Sequence, residues 1–199
     1  MELENLVQAV TDSLFVELEA SGRHVHVTGE QAMTLFGHPL TPARPLSQPG
    51  QFLARERVTL VGEKGEFRDV AVLGPERREG QVEISLTDGR VLGIAPPVRL
   101  SGDVEGSPGI VLLGSNGRVE LTQGVIAAKR HIHLTPRAAA HFGVKNGENV
   151  KLKALTRRPV IFEDVSVRVS EQFAPFAHLD YDEANACGFC KGDLGRILK

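Results

Sequence analysis

The chain has 199 residues, of which 41% are hydrophobic and 24% charged; these proportions fit a soluble globular protein with a packed core and exclude a disordered or fibrous chain. Lys and Arg number 23 against 25 Asp and Glu, a formal net charge of −2, so no basic surplus marks nucleic acid as a partner. No apolar run approaches the ~20 residues that cross a bilayer, and the acidic start Met1-Glu2-Leu3-Glu4-Asn5 lacks the basic region of a secretory signal. Two cysteines three positions apart make no disulfide framework, so the chain reads as intracellular and cytoplasmic.

Along the chain, Leu3, Leu6, Val7, Val10 and Leu14 recur at helical spacing and share one face of a short helix. That helix either packs on its own domain or docks on another protein, because so short a helix needs a surface for its stripe. Arg23 to Thr28 then begins a run of short β-like segments, and Thr28 is placed to cap a helix. Pro39 to Pro49 reads as a proline-rich loop. Strands are predicted at Arg57–Val61, Asp69–Leu73, Ile110–Leu113, Val150–Lys153 and Asp164–Val169, with a second capped helix after Thr135. Turn signals at Glu63-Lys64-Gly65, Ser115-Asn116-Gly117 and Lys145-Asn146-Gly147 separate several of these. The predicted class is mainly β: barrels with small helical caps.

An internal repeat locates the chemistry. Arg23-His24-Val25-His26-Val27-Thr28 returns as Arg130-His131-Ile132-His133-Leu134-Thr135, and the segments that follow end in Phe36-Gly37 and Phe142-Gly143. Further on, Phe67-Arg68-Asp69-Val70 matches Phe162-Glu163-Asp164-Val165 at a shorter offset; the difference is about the size of the proline-rich loop. Carried forward, this register sets Glu83 on His178, Asp88 on Glu183, Leu92 on Cys187 and Gly93 on Gly188.

In a strand, side chains at i and i+2 point to one face with Cα atoms about 6.6 Å apart. His24 and His26 can therefore converge on a cation while Val25 turns to the core, and His131 and His133 do the same around Ile132. A third ligand from a distant strand, Glu83 for the first pair and His178 for the second, completes a catalytic-type zinc site with an open position. One such pair alone reads as two half-exposed strand histidines, but two copies with matched third ligands point to metal. Nitrogen and oxygen ligands suit Zn²⁺, and Co²⁺, Ni²⁺ or Fe²⁺ fit the same groups. His38 and His141 fall outside the pattern.

Several longer stretches, in order, carry a resemblance: Arg23-His24-Val25-His26, Pro45-Leu46-Ser47-Gln48-Pro49-Gly50-Gln51-Phe52, Val72-Leu73-Gly74-Pro75-Glu76-Arg77, Gln81-Val82-Glu83-Ile84-Ser85, Ser101-Gly102-Asp103, Gly106-Ser107-Pro108-Gly109, Arg130-His131-Ile132-His133 and Asp182-Glu183-Ala184-Asn185-Ala186. From about residue 16 to 188 the chain resembles the PduL-type phosphate propanoyltransferases, the phosphotransacylases of bacterial microcompartments linked to propanediol degradation. The resemblance implies two related β-barrels capped by short helices, with an exchanged first strand. Residues 13–22 plus 129–199 would form the barrel of the C-terminal repeat, and 23–128, with loop 39–49, that of the first. It also implies a dinuclear zinc centre transferring an acyl group, propanoyl first and acetyl second, between coenzyme A and phosphate. His24, His26 and Glu83 would hold one Zn²⁺ and His131, His133 and His178 the other. Arg77 would bind phosphate with Ser101 nearby; read by itself, Arg77 is as well a surface residue beside Arg78. Residues 1–12 would be an encapsulation peptide addressing microcompartment shell or core proteins.

Gly22 stands where the family reads Asn, and a hydrogen bond behind the first histidine pair is at stake. Cys187-Gly188-Phe189-Cys190 offers a redox or metal pair, but lacks a second CxxC; the repeat aligns Cys187 with Leu92, which favours buried packing. Two alternatives stand against the transferase: a zinc-dependent acyl-CoA thioesterase, and a non-catalytic zinc-binding assembly protein. The sequence leaves open the acyl preference, the residues that hold the CoA nucleotide (Arg157-Arg158 and Lys129-Arg130 are candidates) and whether copies form a homo-oligomer.

Overall fold

The computed structural model describes Val7, Thr11 and residues 14–199. Of the predicted N-terminal stripe, Val7 and Leu14 are described and exposed; Leu3, Leu6 and Val10 lie outside the described residues. The chain divides into two compact units, one of the residues up to Ser21 with Arg130–Lys199 and one of Gly22–Lys129.

In the first unit, β1 (Val16–Ser21), β11 (His131–Leu134), β12 (Asn149–Leu155), β13 (Val160–Val169), β14 (Phe176–Asp180) and β15 (Leu194–Leu198) close a barrel in the order β1-β14-β11-β13-β12-β15. Strict alternation makes β12 a barrel strand: Val150, Leu152 and Ala154 point inward and the residues between them to solvent. Val16 and Leu18 from β1 complete the same core with Ile132, Leu134, Val165, Val167, Ala177 and Leu179. Each fully buried aliphatic side chain contributes about 1.5–3 kcal/mol. Two short helices belong to this unit, α3 (Pro136–Phe142) after β11 and α4 (Tyr181–Cys187) after β14.

The second unit is a nine-stranded sheet curled into a half-barrel. Its strands are β2 (His24–His26), β3 (Pro42–Pro45), β4 (Phe52–Val61), β5 (Glu66–Gly74), β6 (Gln81–Glu83), β7 (Val98–Arg99), β8 (Ile110–Leu113), β9 (Arg118–Leu121) and β10 (Val125–Ala128). The order is β7-β10-β6-β2-β5-β4-β8-β9, with β3 added on β4. Helix α1 (Gly29–Phe36) follows β2 and α2 (Leu86–Leu92) follows β6. Val25, Val58, Leu60, Val70, Val72, Val82 and Leu112 fill the core beneath.

All five predicted strands lie within observed ones, and Thr28 and Thr135 cap the helices expected after them. The proline-rich loop needs correction. Pro42–Pro45 forms an edge strand antiparallel to β4, fully exposed, where a proline lacking N–H does no harm. Helices α2 and α4 had escaped the sequence reading although their signals are present. Ser85 with Asp88, and Asp180 with Glu183, form capping boxes, and Gly93 and Gly188 end the helices at φ 76° and 65°. The repeat register had therefore aligned matching cap residues. No helix among the described residues is long and apolar enough to cross a membrane.

Candidate metal centres

Short strands position each triad. β6 runs antiparallel to β2 with His24 opposite Glu83 and His26 opposite Gln81. β14 runs antiparallel to β11 with His131 opposite His178. The intervening Val25 and Ile132 are fully buried, which anchors both strands so that the imidazoles share the other face. The structure brings together all six predicted ligands, as His24, His26 and Glu83 and as His131, His133 and His178. Within each group one ligand atom per residue lies within 4.8 Å of the others.

In the first group the His24 ring meets the Gly22 carbonyl through Nδ1 at 2.8 Å, and the His26 ring meets the Leu73 carbonyl through Nδ1 at 3.2 Å. A carbonyl only accepts, so both rings carry a proton on Nδ1, and Nε2 is the nitrogen left to face the group. The bond behind His24 uses the main chain of residue 22, so glycine there supplies it without an amide side chain. His24 Nε2 lies 3.5 Å from Glu83 Oε2. Burial opposes charge on Glu83, but the His24 and His26 rings and the Ser101 hydroxyl together hold its carboxyl well below the usual range. On His24, burial favours the neutral ring, yet the Glu83 carboxylate outweighs it and raises the pKa. Burial, then the neighbouring His24 and Arg77, push His26 well below an ordinary histidine.

In the second group His133 Nδ1 lies 3.2 Å from His178 Nε2, and Glu19 Oε2 sits 3.3 Å behind His178 Nδ1. The Phe173 ring packs 4.2 Å from the His133 ring, centroid to centroid. Burial, with His131 and Arg168 adding repulsion, lowers the His133 pKa to about 3.

Both groups fit a divalent ion. Tetrahedral ligands about 2.0–2.2 Å from zinc stand roughly 3.4 Å apart, close to the 3.2 Å and 3.5 Å found here. His133 turns Nδ1 to His178, and its other ring nitrogen, Nε2, is buried without a hydrogen-bond partner. Neither cysteine belongs to a cluster of potential ligands among the described residues. Cys187 is buried against the Ala184 carbonyl and Cys190 is exposed, both as free thiols, and burial pushes the Cys187 thiol up. Of the remaining histidines, His38 is exposed beside Glu56 and His141 lies on α3.

Beside the first group, Arg77 donates to Ser101 Oγ at 3.1 Å, and Gln81 Nε2 donates to the same oxygen at 2.9 Å and to Glu83 Oε1 at 2.6 Å. Gln81 Oε1 accepts from the Gly102 amide at 2.8 Å. Sequence reasoning missed Gln81 and Glu19. Gln81 had a signal, since it stands two residues before Glu83 on the same strand face; Glu19 had none, because it reaches His178 only through strand pairing.

The arginine that opens each repeat acts as a clamp. Arg23 pairs with Asp88 through two bonds of 2.7 and 3.1 Å and lies 4.1 Å from the Phe67 ring centre. Arg130 pairs with Glu183 at 2.6 Å and lies 6.0 Å from the Phe162 ring centre. Each ties the strand of a histidine pair to the helix that follows the third member of its cluster. Replacing Arg23 by alanine leaves buried Asp88 without its cation and is expected to cost about 2 kcal/mol, read from urea unfolding; an unchanged midpoint would dismiss the clamp.

The shifted histidines also set a pH dependence for the metal-free protein. Unfolded, His26 and His133 take up protons near pH 6.5, whereas folded they resist. Below that pH the unfolded chain binds more protons, so their stabilisation, complete above about pH 6.5, drains away as pH falls toward their folded values. His24, with its raised pKa, contributes in full below about 6.5 and loses its contribution as pH rises through its folded value. The lowered pair dominates. With chelator present, the melting temperature should drop between pH 7 and 5; a flat profile would contradict these shifts.

A mainly β protein with two repeat-related clusters of imidazole and carboxylate groups is the class that fold and site define. The sequence profile described as phosphate propanoyltransferase matches residues 17–190, and the chain belongs to that family, one of transferase enzymes. Among its relatives, the phosphate propanoyltransferase of Enterococcus faecalis is 54% identical over 92% of this chain and 88% of its own length. That of Clostridioides difficile is 49% identical over 99% and 95%, and that of Thermotoga maritima 52% identical over 90% and 87%.

Proposed function

We propose that this chain interconverts a short acyl-CoA and phosphate with an acyl phosphate and CoA, propanoyl being the first acyl group to test and acetyl the second. Two Zn²⁺ ions per chain would serve it, one in each unit: one held by His24, His26 and Glu83 and the other by His131, His133 and His178. Zinc held by these groups supplies a Lewis acid suited to a thiolate leaving group and a thioester carbonyl. The family membership and the hydrogen-bonded chain from Arg77 through Ser101 and Gln81 to the ligand Glu83 support this reading.

The residues divide the work by charge. Arg77 presents a planar fork of donors matched to phosphate oxygens. Ser101 Oγ accepts from Arg77 and Gln81, so its lone pairs are engaged, and its own hydrogen serves the Glu83 carboxyl. Ser101 therefore links Arg77 to Glu83 beside the phosphate and is no acyl nucleophile. A phosphate oxygen attacks the thioester carbon directly; the C–O bond forms, the C–S bond breaks, and CoA leaves as the thiolate.

Purified enzyme should release CoA from propanoyl-CoA in proportion to phosphate, reverse with acyl phosphate, and carry two zinc ions per chain. CoA release indifferent to phosphate would replace the transferase by a thioesterase. Residues 1–12, the amphipathic segment, serve as the address for a bacterial microcompartment. Their deletion should abolish packaging and leave turnover intact, and equal packaging of the truncated chain would end that part of the reading.

A further inference from the structure

We propose that Glu19 is a positioning residue for the second cluster: it holds the Nδ1 proton of His178, so that Nε2 faces the metal with extra negative charge behind it. The inference rests on the metal reading above and deepens it.

The backbone makes the contact. β1 runs parallel to β14 with Glu19 beside His178 in register, and Glu19 Oε2 stands 3.3 Å from His178 Nδ1. The other ring nitrogen, Nε2, lies 3.2 Å from His133 Nδ1 and so faces into the cluster. An ionised carboxylate only accepts hydrogen bonds, so the proton belongs on Nδ1 and the lone pair on Nε2. A carboxylate behind a ligating imidazole fixes its tautomer and raises its basicity.

The first cluster supplies the internal comparison. There β10 runs parallel to β6 in the corresponding relation and sets Ile126 beside Glu83. Ile126 is fully buried and offers no charge. The difference follows the third ligand: Glu83 brings a negative charge into its own ligand set and would be repelled by a carboxylate neighbour, whereas His178 brings none. Each cluster thus has one carboxylate, as a ligand in the first and behind a ligand in the second. The two ions would therefore be held in unlike fields by sites built from one repeat.

The test compares wild-type full-length protein with Glu19→Gln and Glu19→Ala. Gln keeps an acceptor oxygen without the charge, and Ala removes both. Zinc titration against a chromophoric chelator should find two ions in the wild type. In the variants one of the two should bind about 10–100-fold more weakly, Ala more than Gln, with the other unchanged. The Co²⁺ absorption spectrum should change for the weakened ion alone. Unchanged affinities, or equal weakening of both ions, would overturn the proposal. Nitrogen-15 NMR of the metal-free proteins reads the contact without any ion: His178 should carry its proton on Nδ1 in the wild type and lose that preference in Glu19→Ala. A wild-type His178 protonated on Nε2 would overturn the contact; a wild type with this tautomer that takes up no zinc would overturn the metal reading and leave the contact standing.

Discussion

Alanine in place of His24 is expected to remove one metal ion per chain and to lower phosphate-dependent CoA release by on the order of 10³-fold. The magnitude follows from the several kcal/mol of charge stabilisation that a Lewis acid supplies to a transition state, at 1.36 kcal/mol per factor of about ten. The loss reaches beyond one ligand. Glu83 is buried, and its carboxyl is held ionised in part by the His24 ring; without that ring a buried charge has lost its neighbour. Metal analysis, turnover and thermal unfolding of His24→Ala and the parallel His178→Ala separate the alternatives. Loss of metal and turnover with native unfolding assigns the ions to chemistry, and loss of unfolding cooperativity alone would assign them to a structural staple. A His24→Ala protein that kept both ions would defeat the assignment of this ligand.

Alanine in place of Arg77 is expected to cost about 3 kcal/mol of transition-state stabilisation, roughly 10²-fold in kcat/KM for phosphate. Charge-assisted bonds contribute about 1.5–3 kcal/mol each, and a guanidinium fork makes two. The acyl-CoA KM should change little, because the proposed role of Arg77 is toward phosphate alone. Lysine should rescue only part of the loss, since an ammonium lacks the planar fork. Initial rates across a phosphate series decide the matter: unchanged phosphate dependence in Arg77→Ala would remove Arg77 from the site. The change also frees Ser101 Oγ from one of its two donors, so Gln81→Ala should show a milder loss in the same direction.

The strands of both histidine pairs were legible because their information is local. The period of two sets His24 with His26 and His131 with His133, and an apolar residue between each pair declares the buried face. Repetition extended the reading to third cluster members more than forty residues away, and the register that aligned Glu83 with His178 is reproduced by the antiparallel pairings of His24 with Glu83 and His131 with His178. The same register matched Asp69 with Asp164, both of which adopt left-handed φ, at 57° and 54°. Pro42–Pro45 was less legible, since an exposed edge strand of Pro, Ala and Arg has no buried face to impose alternation. Short helices α2 and α4 carried their signals in caps rather than in a long apolar stripe.

What the amino-acid sequence by itself determined is the set of side chains that cluster: imidazoles at two-residue spacing, repeated, each with a third group in matching register. What only the tertiary structure decided is the surroundings of those side chains. Glu19 stands behind His178, Gln81 bridges Glu83 to Ser101, and the Gly22 carbonyl accepts a hydrogen bond from His24 Nδ1. The reason is physical: the histidine pairs follow from strand periodicity within a few residues, whereas their supports arise from chain segments joined by main-chain pairing and turns, which leave no mark in the spacing of side chains.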